Sequence, residues 1–298
     1  MVKPLIVQTD FGLGDAAVSA MYGVAYSVSD NIRMFDSTHD IRPYNIWEAS
    51  YRLIQTVSYW VEGSVFVSVV DPGVGSNRRS IVVKVSSGQY IVTPDNGTLT
   101  HVKKLIGIVA AREIDENFNR LPNSGESYTF HGRDVYAYTG ARLAAGIIDF
   151  ESVGPEINVD DIVELPTFPA TCENGIISGT IDVLDIRFGS LWTNIPREMF
   201  KKIGIEFGQR VEITITHEHS LVYKNIMTYA KSFADVSIGE TLLYSNSLDR
   251  MAVAINQGSF AKAYNVGSGT NWKISIRKSQ YVKHQNLFMS KNNLTKIE

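Results

Sequence analysis

The segment Thr129-Phe130-His131-Gly132-Arg133-Asp134 places a histidine at a turn directly before a helix-like run over residues 135–145. An imidazole buried in a cleft can hold or transfer a proton near neutral pH. A single histidine beside a turn is more often a structural residue, so His131 gains weight only from companions. Three further polar segments supply them, at residues 9–12, 71–79 and 188–194. Together these segments predict an enzyme.

The candidate catalytic group is Asp71, Arg78 and His131, with Asp10 beside it. Asp10 follows an apolar run at residues 5–9, and Asp71 follows another at 65–70. Open α/β sheets bind ligands outside the carboxyl ends of their strands, so we expect both carboxylates at one cleft. A carboxylate beside an arginine stays ionised, and with an imidazole it can orient a water molecule. The pattern predicts a site that handles water.

Other roles remain open for the acidic residues. Asp10 could cap a turn, or it could accept hydrogen bonds from both hydroxyls of a ribose, as the acidic residue of dinucleotide folds does. Asp10, Asp15 and Asp71 could form a metal site, although Arg78 and Arg79 would compete with a cation there. We expect neither a metal nor a cofactor.

The glycines of Asp71-Pro72-Gly73-Val74-Gly75 predict a tight turn that lets a ligand approach closely. The segment lacks the Gly-Lys-Ser/Thr ending of a phosphate-binding loop.

The order of the elements predicts an α/β fold with a second, all-β domain. Asp15 is expected to be the N-cap of a helix that presents Val18, Met21, Tyr22 and Ala25. Alternating apolar runs and helix-like segments follow, with strands expected at 32–35, 65–70, 81–85 and 90–93 and helices at 45–59 and 99–106.

Residues 1–165 are therefore expected to form an N-terminal α/β domain with a central, mostly parallel sheet. Residues 165–170 resemble a linker. Alternating strands at 181–185 and 211–215 predict a smaller C-terminal domain of barrel or sandwich type over residues 171–277. Residues 278–298 read as a polar extension.

Composition narrows the class of protein. The 298 residues are 44% hydrophobic and 20% charged with a net charge of −3, which is typical of a globular protein and argues against nucleic-acid binding. The single Cys172 excludes an internal disulfide framework and favours the cytoplasm. No signal peptide and no run of 18 apolar residues is visible, so no membrane association is expected.

Six motifs occur in order along the chain up to about residue 277. They are Thr-Asp-Phe-Gly at 9–12, Asp-Pro-Gly-Val-Gly at 71–75 with Arg78, Pro-Asp-Asn-Gly at 94–97, Phe-His-Gly-Arg-Asp at 130–134, Phe-Gly-Ser-Leu-Trp-Thr-Asn-Ile at 188–195, and Asn-Ser at 246–247 with residues 254–259. With these motifs the chain resembles the S-adenosylmethionine hydroxide adenosyltransferases, the water-using relatives of bacterial fluorinase and chlorinase.

The resemblance implies an enzyme that hydrolyses S-adenosyl-L-methionine (SAM) to adenosine and L-methionine. Water or hydroxide would attack the ribose C5′ without metal or cofactor. It also implies a homotrimer, with each active site between the first domain of one subunit and the second domain of its neighbour.

The resemblance also assigns roles to particular residues. It puts the water-activating triad on Asp71, Arg78 and His131, and the ribose clamp on Asp10. Further substrate-binding positions carried over from the family are Tyr44, Phe130, Asp185, Phe188, Ser190, Phe233 and Ser247. Ser190 replaces the asparagine usual in the family, at a contact on the adenine side. Leu248 replaces an arginine of the halogenases, so the resemblance does not identify the residue that binds the methionine carboxylate.

Two other functions remain as alternatives. A sensor protein that binds SAM or adenosine would keep Asp10 and the aromatic residues but would not need the triad. A calcium-dependent nucleoside hydrolase would need an aspartate in place of Gln8 and an aspartate pair where Asp15 and Ala16 stand.

Overall fold

The computed structural model describes residues 2–279. These residues divide into two compact units, with the boundary between Pro166 and Thr167. The boundary lies within the segment 165–170 that resembles a linker. Of the predicted polar extension, Lys278 ends the last strand, and residues 280–298 lie outside the described residues.

The first unit is built on a mixed sheet. Its seven described strands are β1 (Leu5–Thr9), β2 (Met34–Thr38), β3 (Val65–Val69), β4 (Ser80–Val85), β5 (Tyr90–Pro94), β6 (Ile108–Glu113) and β7 (Glu156–Ile157). Their order in the sheet is β2-β1-β3-β5-β4-β6-β7. The first four of these strands are parallel, which confirms the expected parallel sheet, and β4, β6 and β7 extend it in antiparallel fashion.

Helices cover both faces of this sheet. They are α1 (Ala17–Val28), α2 (Ile46–Thr56), α3 (Thr100–Leu105) and α4 (Tyr138–Ala145), with single 3-10 turns at Val57–Tyr59, Glu151–Val153 and Val159–Asp161. All five residues of β1 and of β3 are buried, as expected for central parallel strands with helices on both sides.

Two helix starts differ from the predictions. Ala16, not Asp15, is the N-cap of α1, and the Asp15 carboxylate accepts a hydrogen bond from the Ala17 N–H at 2.8 Å. The helix predicted over 135–145 starts earlier, as a π-helical turn at Gly132–Ala137 that continues into α4.

The second unit is a β-barrel. Its described strands are β8 (Thr171–Glu173), β9 (Ile176–Leu184), β10 (Leu191–Pro196), β11 (Arg210–His217), β12 (Ser220–Tyr229), β13 (Thr241–Ser245), β14 (Arg250–Ile255) and β15 (Gly269–Lys278), with short helices α5 (Arg197–Lys201) and α6 (Phe260–Tyr264) and a 3-10 turn at Phe233–Asp235. Pairing of β9 with β10 closes the seven strands β9 to β15 into a barrel.

Burial alternates along the barrel strands, as in β10 and β11, because successive side chains point to opposite faces of a strand. Of the two all-β forms expected for this domain, the barrel is confirmed. No helix among the described residues is both long enough and apolar enough to cross a bilayer.

Candidate active site

A cleft in the first unit lies at the carboxyl ends of β1 and β3. Its volume is about 380 Å³, and its lining includes five predicted site residues: Asp10, Tyr44, Asp71, Phe130 and His131. They come from loops that follow strands or precede helices, which is the usual position of a ligand site in an open α/β sheet. The fold thus brings together residues that are far apart in the sequence.

Asp71 and Arg78 form a buried, bidentate ion pair in this cleft. Arg78 donates from Nε to Asp71 Oδ1 at 2.8 Å and from Nη2 to Oδ2 at 2.5 Å. The two side chains are only 9% and 6% exposed. Arg78 Nη2 also donates to His131 Nδ1 at 2.9 Å. One guanidinium therefore fixes both the carboxylate and the imidazole.

A tight turn after β3 brings Arg78 back to Asp71. The Val74 N–H donates to the Asp71 carbonyl, and the Ser76 N–H donates to the Gly73 carbonyl. Gly75 has a φ of +79°, and a Cβ at this position would lie 3.1 Å from the Tyr128 carbonyl oxygen. Both the positive φ and this close approach favour glycine at residue 75.

The contact with Arg78 fixes the tautomer of His131. A guanidinium only donates, so Nδ1 must be the acceptor, and the proton of the neutral ring sits on Nε2. His131 is only 4% exposed, and its Nε2 is buried without a hydrogen-bond partner among the described residues. Burial, followed by the charge of Arg78, lowers the pKa of His131. The ring is therefore a neutral donor that needs an acceptor.

Two residues that the sequence analysis missed complete this network. The Tyr136 hydroxyl lies 3.5 Å from Asp71 Oδ2 and 3.1 Å from Ser80 Oγ, and Ser80 also accepts from Arg78 Nη1 at 3.2 Å. Burial, and then the charge of Asp71, raise the pKa of Tyr136 far above its usual value. Its hydroxyl stays protonated and can donate to the carboxylate.

The π-helical turn explains why Tyr136 escaped notice. Tyr136 follows His131 by five residues, a spacing that a π-helix, with its i→i+5 hydrogen bonds, places on one face. The two rings are 6.5 Å apart. In an α-helix, with 3.6 residues per turn, residues five apart lie on different faces.

Asp10 lies across the cleft and is held by the loop before α2. Its Oδ2 accepts a hydrogen bond from the Tyr44 N–H at 2.7 Å. Burial raises the pKa of Asp10, the Tyr44 N–H opposes this effect, and the charge of Asp71 adds to it. Tyr44 has a φ of +67°, which is strained for a tyrosine, and its side chain is 74% exposed.

Phe130 lines the cleft between Phe11 and Arg133. Its ring is 5.9 Å from the ring of Phe11, and the Arg133 guanidinium lies 5.0 Å from its centroid.

Asp15, the third candidate for a metal ligand, accepts a hydrogen bond from the Ala17 N–H in the turn that starts α1. Within residues 2–279, no group of three or more His, Cys, Asp or Glu side chains is arranged to hold a metal ion.

The barrel unit carries the remaining predicted substrate residues. Asp185 Oδ1 accepts from the backbone N–H groups of Arg187 and Phe188 at 3.0 and 2.9 Å, so it shapes the turn between β9 and β10. Phe188 is 72% exposed, whereas Ser190 is buried. The Asp185 N–H donates to the Ser190 carbonyl at 2.9 Å. These three residues therefore occupy a single turn.

Tyr244, which the sequence analysis missed, connects this turn to Phe233. The Ser190 side chain hydrogen-bonds to Tyr244, and the rings of Phe233 and Tyr244 are 5.0 Å apart. Ser247 is exposed in the turn between β13 and β14. That turn is hydrogen-bonded to the residue after β10 through the Arg197 N–H and the Asp249 carbonyl.

Comparison with protein families gives two matches that together span most of the chain. Residues 5–154 match the model of the SAM hydroxide adenosyltransferase N-terminal domain, and residues 179–273 match that of the C-terminal domain.

Individual relatives agree with these matches. An (R)-S-adenosyl-L-methionine hydrolase from Methanocaldococcus jannaschii is 34% identical over 73% of this chain and 75% of that protein. One from Thermus thermophilus is 31% identical over 90% and 98%, and a fluorinase from Actinopolyspora mzabensis is 27% identical over 92% and 97%. A crystal structure of an uncharacterized conserved protein from Thermotoga maritima superposes with a TM-score of 0.83 at 31% identity, covering 92% of this chain and all of that one.

Proposed function

Because the chain belongs to the SAM hydroxide adenosyltransferase family, we propose that it is an enzyme that hydrolyses SAM to adenosine and L-methionine. Four relatives at 31–34% identity bear the name (R)-S-adenosyl-L-methionine hydrolase. The observation that carries the proposal is the connected network of Asp71, Arg78 and His131 in the cleft. A sensor would not need this network, and the acidic cluster of a nucleoside hydrolase is absent from the sequence.

In the proposed reaction, the oxygen of a water molecule forms a bond to the ribose C5′. The C5′–S bond breaks, and its electron pair stays on sulfur, so the sulfonium becomes the neutral thioether of methionine. The water loses one proton to the medium. Since the leaving group needs no protonation, no general acid is required, and the rate depends on the position and orientation of the water.

Asp71 and His131 can orient that water from two sides. A carboxylate has about four acceptor positions, and Arg78 and Tyr136 do not use all of those on Asp71. Asp71 can accept a hydrogen bond from the water and so direct an oxygen lone pair toward carbon. His131 Nε2–H is the complementary donor. Arg78 is a positioning residue here, because its bonds go to the other two groups.

Substrate binding is proposed for the other cleft residues. Asp10 would accept the ribose hydroxyls, and Tyr44 and Phe130 would pack against the sugar. In the barrel unit, Asp185 suits the methionine ammonium, and Phe188, Ser190 and Phe233 suit the adenine side. Ser247 is proposed on the methionine side from the family resemblance alone.

A homotrimer with active sites shared between subunits is also part of the proposal. It is supported by the division of the predicted residues between two units. Light scattering would report the mass of the oligomer, and mixing an Asp71→Asn chain with an Asp185→Ala chain should restore part of the activity if sites are shared.

A cytoplasmic location is proposed because Cys172 is the only cysteine.

The direct test is incubation of the purified protein with SAM, followed by chromatography. Stoichiometric adenosine and L-methionine support the enzyme. Saturable binding of SAM without product supports the sensor, and release of free adenine supports the nucleoside hydrolase.

A further inference from the structure

Two loops of the cleft are joined by hydrogen bonds that the reaction itself does not require. One loop, residues 10–12, follows Thr9, the last residue of β1, and carries Asp10. The other, residues 39–44, lies between β2 and α2 and carries Tyr44. Thr9 Oγ1 lies 2.8 Å from His39 Nδ1, the Gly12 N–H donates to the His39 carbonyl at 2.9 Å, and the Tyr44 N–H donates to Asp10 Oδ2 at 2.7 Å. His39 takes part in two of these three contacts.

His39 is only 4% exposed, and both of its ring nitrogens lie within hydrogen-bond distance of protein groups. Nε2 lies 3.1 Å from Asp36 Oδ1 and 3.2 Å from the Tyr22 hydroxyl. In the neutral ring, the contact with the Asp36 carboxylate favours the tautomer with the proton on Nε2, which makes Nδ1 the acceptor. In this tautomer the Thr9 hydroxyl donates to Nδ1.

This polarity continues into the loop that carries Asp10. The Thr9 hydroxyl donates its hydrogen bond to His39, and its oxygen accepts one from the Phe11 N–H at 3.2 Å. Thr9 is fully buried, so neither its hydroxyl nor the ring of His39 can exchange these partners for water without cost. A directed chain of hydrogen bonds thus runs from the Phe11 amide through Thr9 and His39 to Asp36.

We propose that His39 is a positioning residue for substrate binding, which acts through Thr9 to fix the backbone on either side of Asp10. Asp36 sets the tautomer of His39 and thereby the direction of the chain. This inference rests on the proposed function, because it assigns His39 to the support of the ribose clamp. His39 touches neither the triad nor any group that meets the water.

The test measures adenosine affinity by calorimetry in matched variants. An asparagine amide at residue 39 places an acceptor near the position of Nδ1, whereas a glutamine amide reaches the position of Nε2. Loss of one neutral hydrogen bond should weaken adenosine binding by about 3- to 10-fold in His39→Gln and in the isosteric Thr9→Val. His39→Asn and Thr9→Ser retain the bond and should stay close to wild type.

Turnover gives a second readout that a general loss of stability would not reproduce. The KM for SAM should rise in Thr9→Val with little change in kcat, which is typical of lost uniform binding. His101 is the matched control, since it is a buried histidine of the same unit whose Nδ1 contacts Ser50 Oγ at 2.9 Å. His101→Gln should leave adenosine affinity unchanged.

Repeating the substitutions in an Asp10→Ala background tests whether His39 acts through Asp10. If His39 acts through Asp10, Thr9→Val and His39→Gln should cause no further loss of affinity there. An undiminished loss in that background, or unchanged affinity in folded Thr9→Val, would overturn the inference. Protein that binds adenosine without hydrolysing SAM would refute the proposed function alone, whereas wild-type protein that binds no adenosine would overturn both.

Discussion

Arg78 Nη2 donates to His131 Nδ1 across 2.9 Å, and this bond determines what the imidazole can do. While it persists, Nδ1 cannot take a proton, because two donors would then face each other. His131 is therefore a fixed hydrogen-bond donor rather than a group that transfers a proton. The proposed chemistry accordingly depends on orienting the water between a donor and the Asp71 carboxylate.

The first prediction concerns this donor. His131→Ala should lower kcat by about 10²-fold, the scale of losing one positioned hydrogen-bond donor, and should leave adenosine affinity within a few-fold. His131→Gln should lose less, since its amide can donate from the position of Nε2. His219→Ala, at an exposed histidine of the barrel, is the control. Equal loss in the glutamine and alanine variants would contradict a donor role.

Asp71→Asn tests the acceptor. The amide would turn a donor toward Arg78 or toward the water, so we expect a fall in kcat of about 10²-fold with adenosine binding retained. Breaking a buried ion pair also costs about 3–5 kcal/mol of stability, so the melting temperature is measured in parallel. Asp95→Asn breaks the comparable pair with Arg79 outside the cleft and should affect stability alone. A similar loss of kcat in both variants would remove Asp71 from the mechanism.

Asp10→Ala should damage nucleoside binding itself. A hydrogen bond to a charged group contributes about 1.5–3 kcal/mol, so adenosine affinity measured by calorimetry should fall by roughly 10- to 150-fold. Asp15→Ala changes an exposed aspartate between β1 and α1 and should have no effect. Equal affinities in Asp10→Ala and wild type would refute the ribose clamp.

The pH dependence should separate Asp10 from His131. Burial and Arg78 lower the pKa of His131 below its ordinary 6.5, so kcat should hold at pH 6.5 and fall only in more acidic solution. Burial raises the pKa of Asp10 above 3.8, so the acid limb of adenosine binding should lie above that value.

Stability follows the same sign for His131. Because its folded pKa is depressed, its contribution is present above pH 6.5 and is lost as the pH falls from 6.5 through the folded pKa. Thermal melts from about pH 8 to pH 5 would show this loss in wild type and a smaller one in His131→Gln. An acid limb of kcat above pH 6.5 would contradict the lowered pKa.

The sequence was sufficient for the parts of the site that depend on local pattern. Continuous apolar runs before Asp10 and Asp71 identify central strands, and such strands place the residues that follow them at one edge of the sheet. Tyr136 and Ser80 were missed because their roles depend on a π-helical turn and on the start of β4. Strand β6 was missed because its sequence, Ile108–Glu113, mixes apolar and charged residues, and tertiary pairing outweighs such a weak local preference.

The barrel illustrates the same limit. Alternation at residues 181–185 and 211–215 indicates strands, but closure depends on the pairing of β9 with β10 and its register shift at Trp192 and Thr193. Pairings of this kind are set by the packed barrel as a whole. Tyr244 could have been noticed only as an aromatic residue near Asn246-Ser247.

The most direct measurement of the central claim is the fate of labelled water. Turnover of SAM in H₂¹⁸O with high chloride or fluoride should place one labelled oxygen in the 5′-hydroxyl of adenosine, as seen by mass spectrometry. The Asp71 carboxylate by itself would repel a halide at ~4 Å by roughly 4 kcal/mol at an effective dielectric of about 20. Its ion pair with Arg78 offsets part of this repulsion, but an acceptor oxygen beside the nucleophile still favours water, which can donate a hydrogen bond, over a halide, which cannot, so no 5′-halo-5′-deoxyadenosine should form. Adenosine without the label, or the halogenated nucleoside as a major product, would contradict water as the nucleophile.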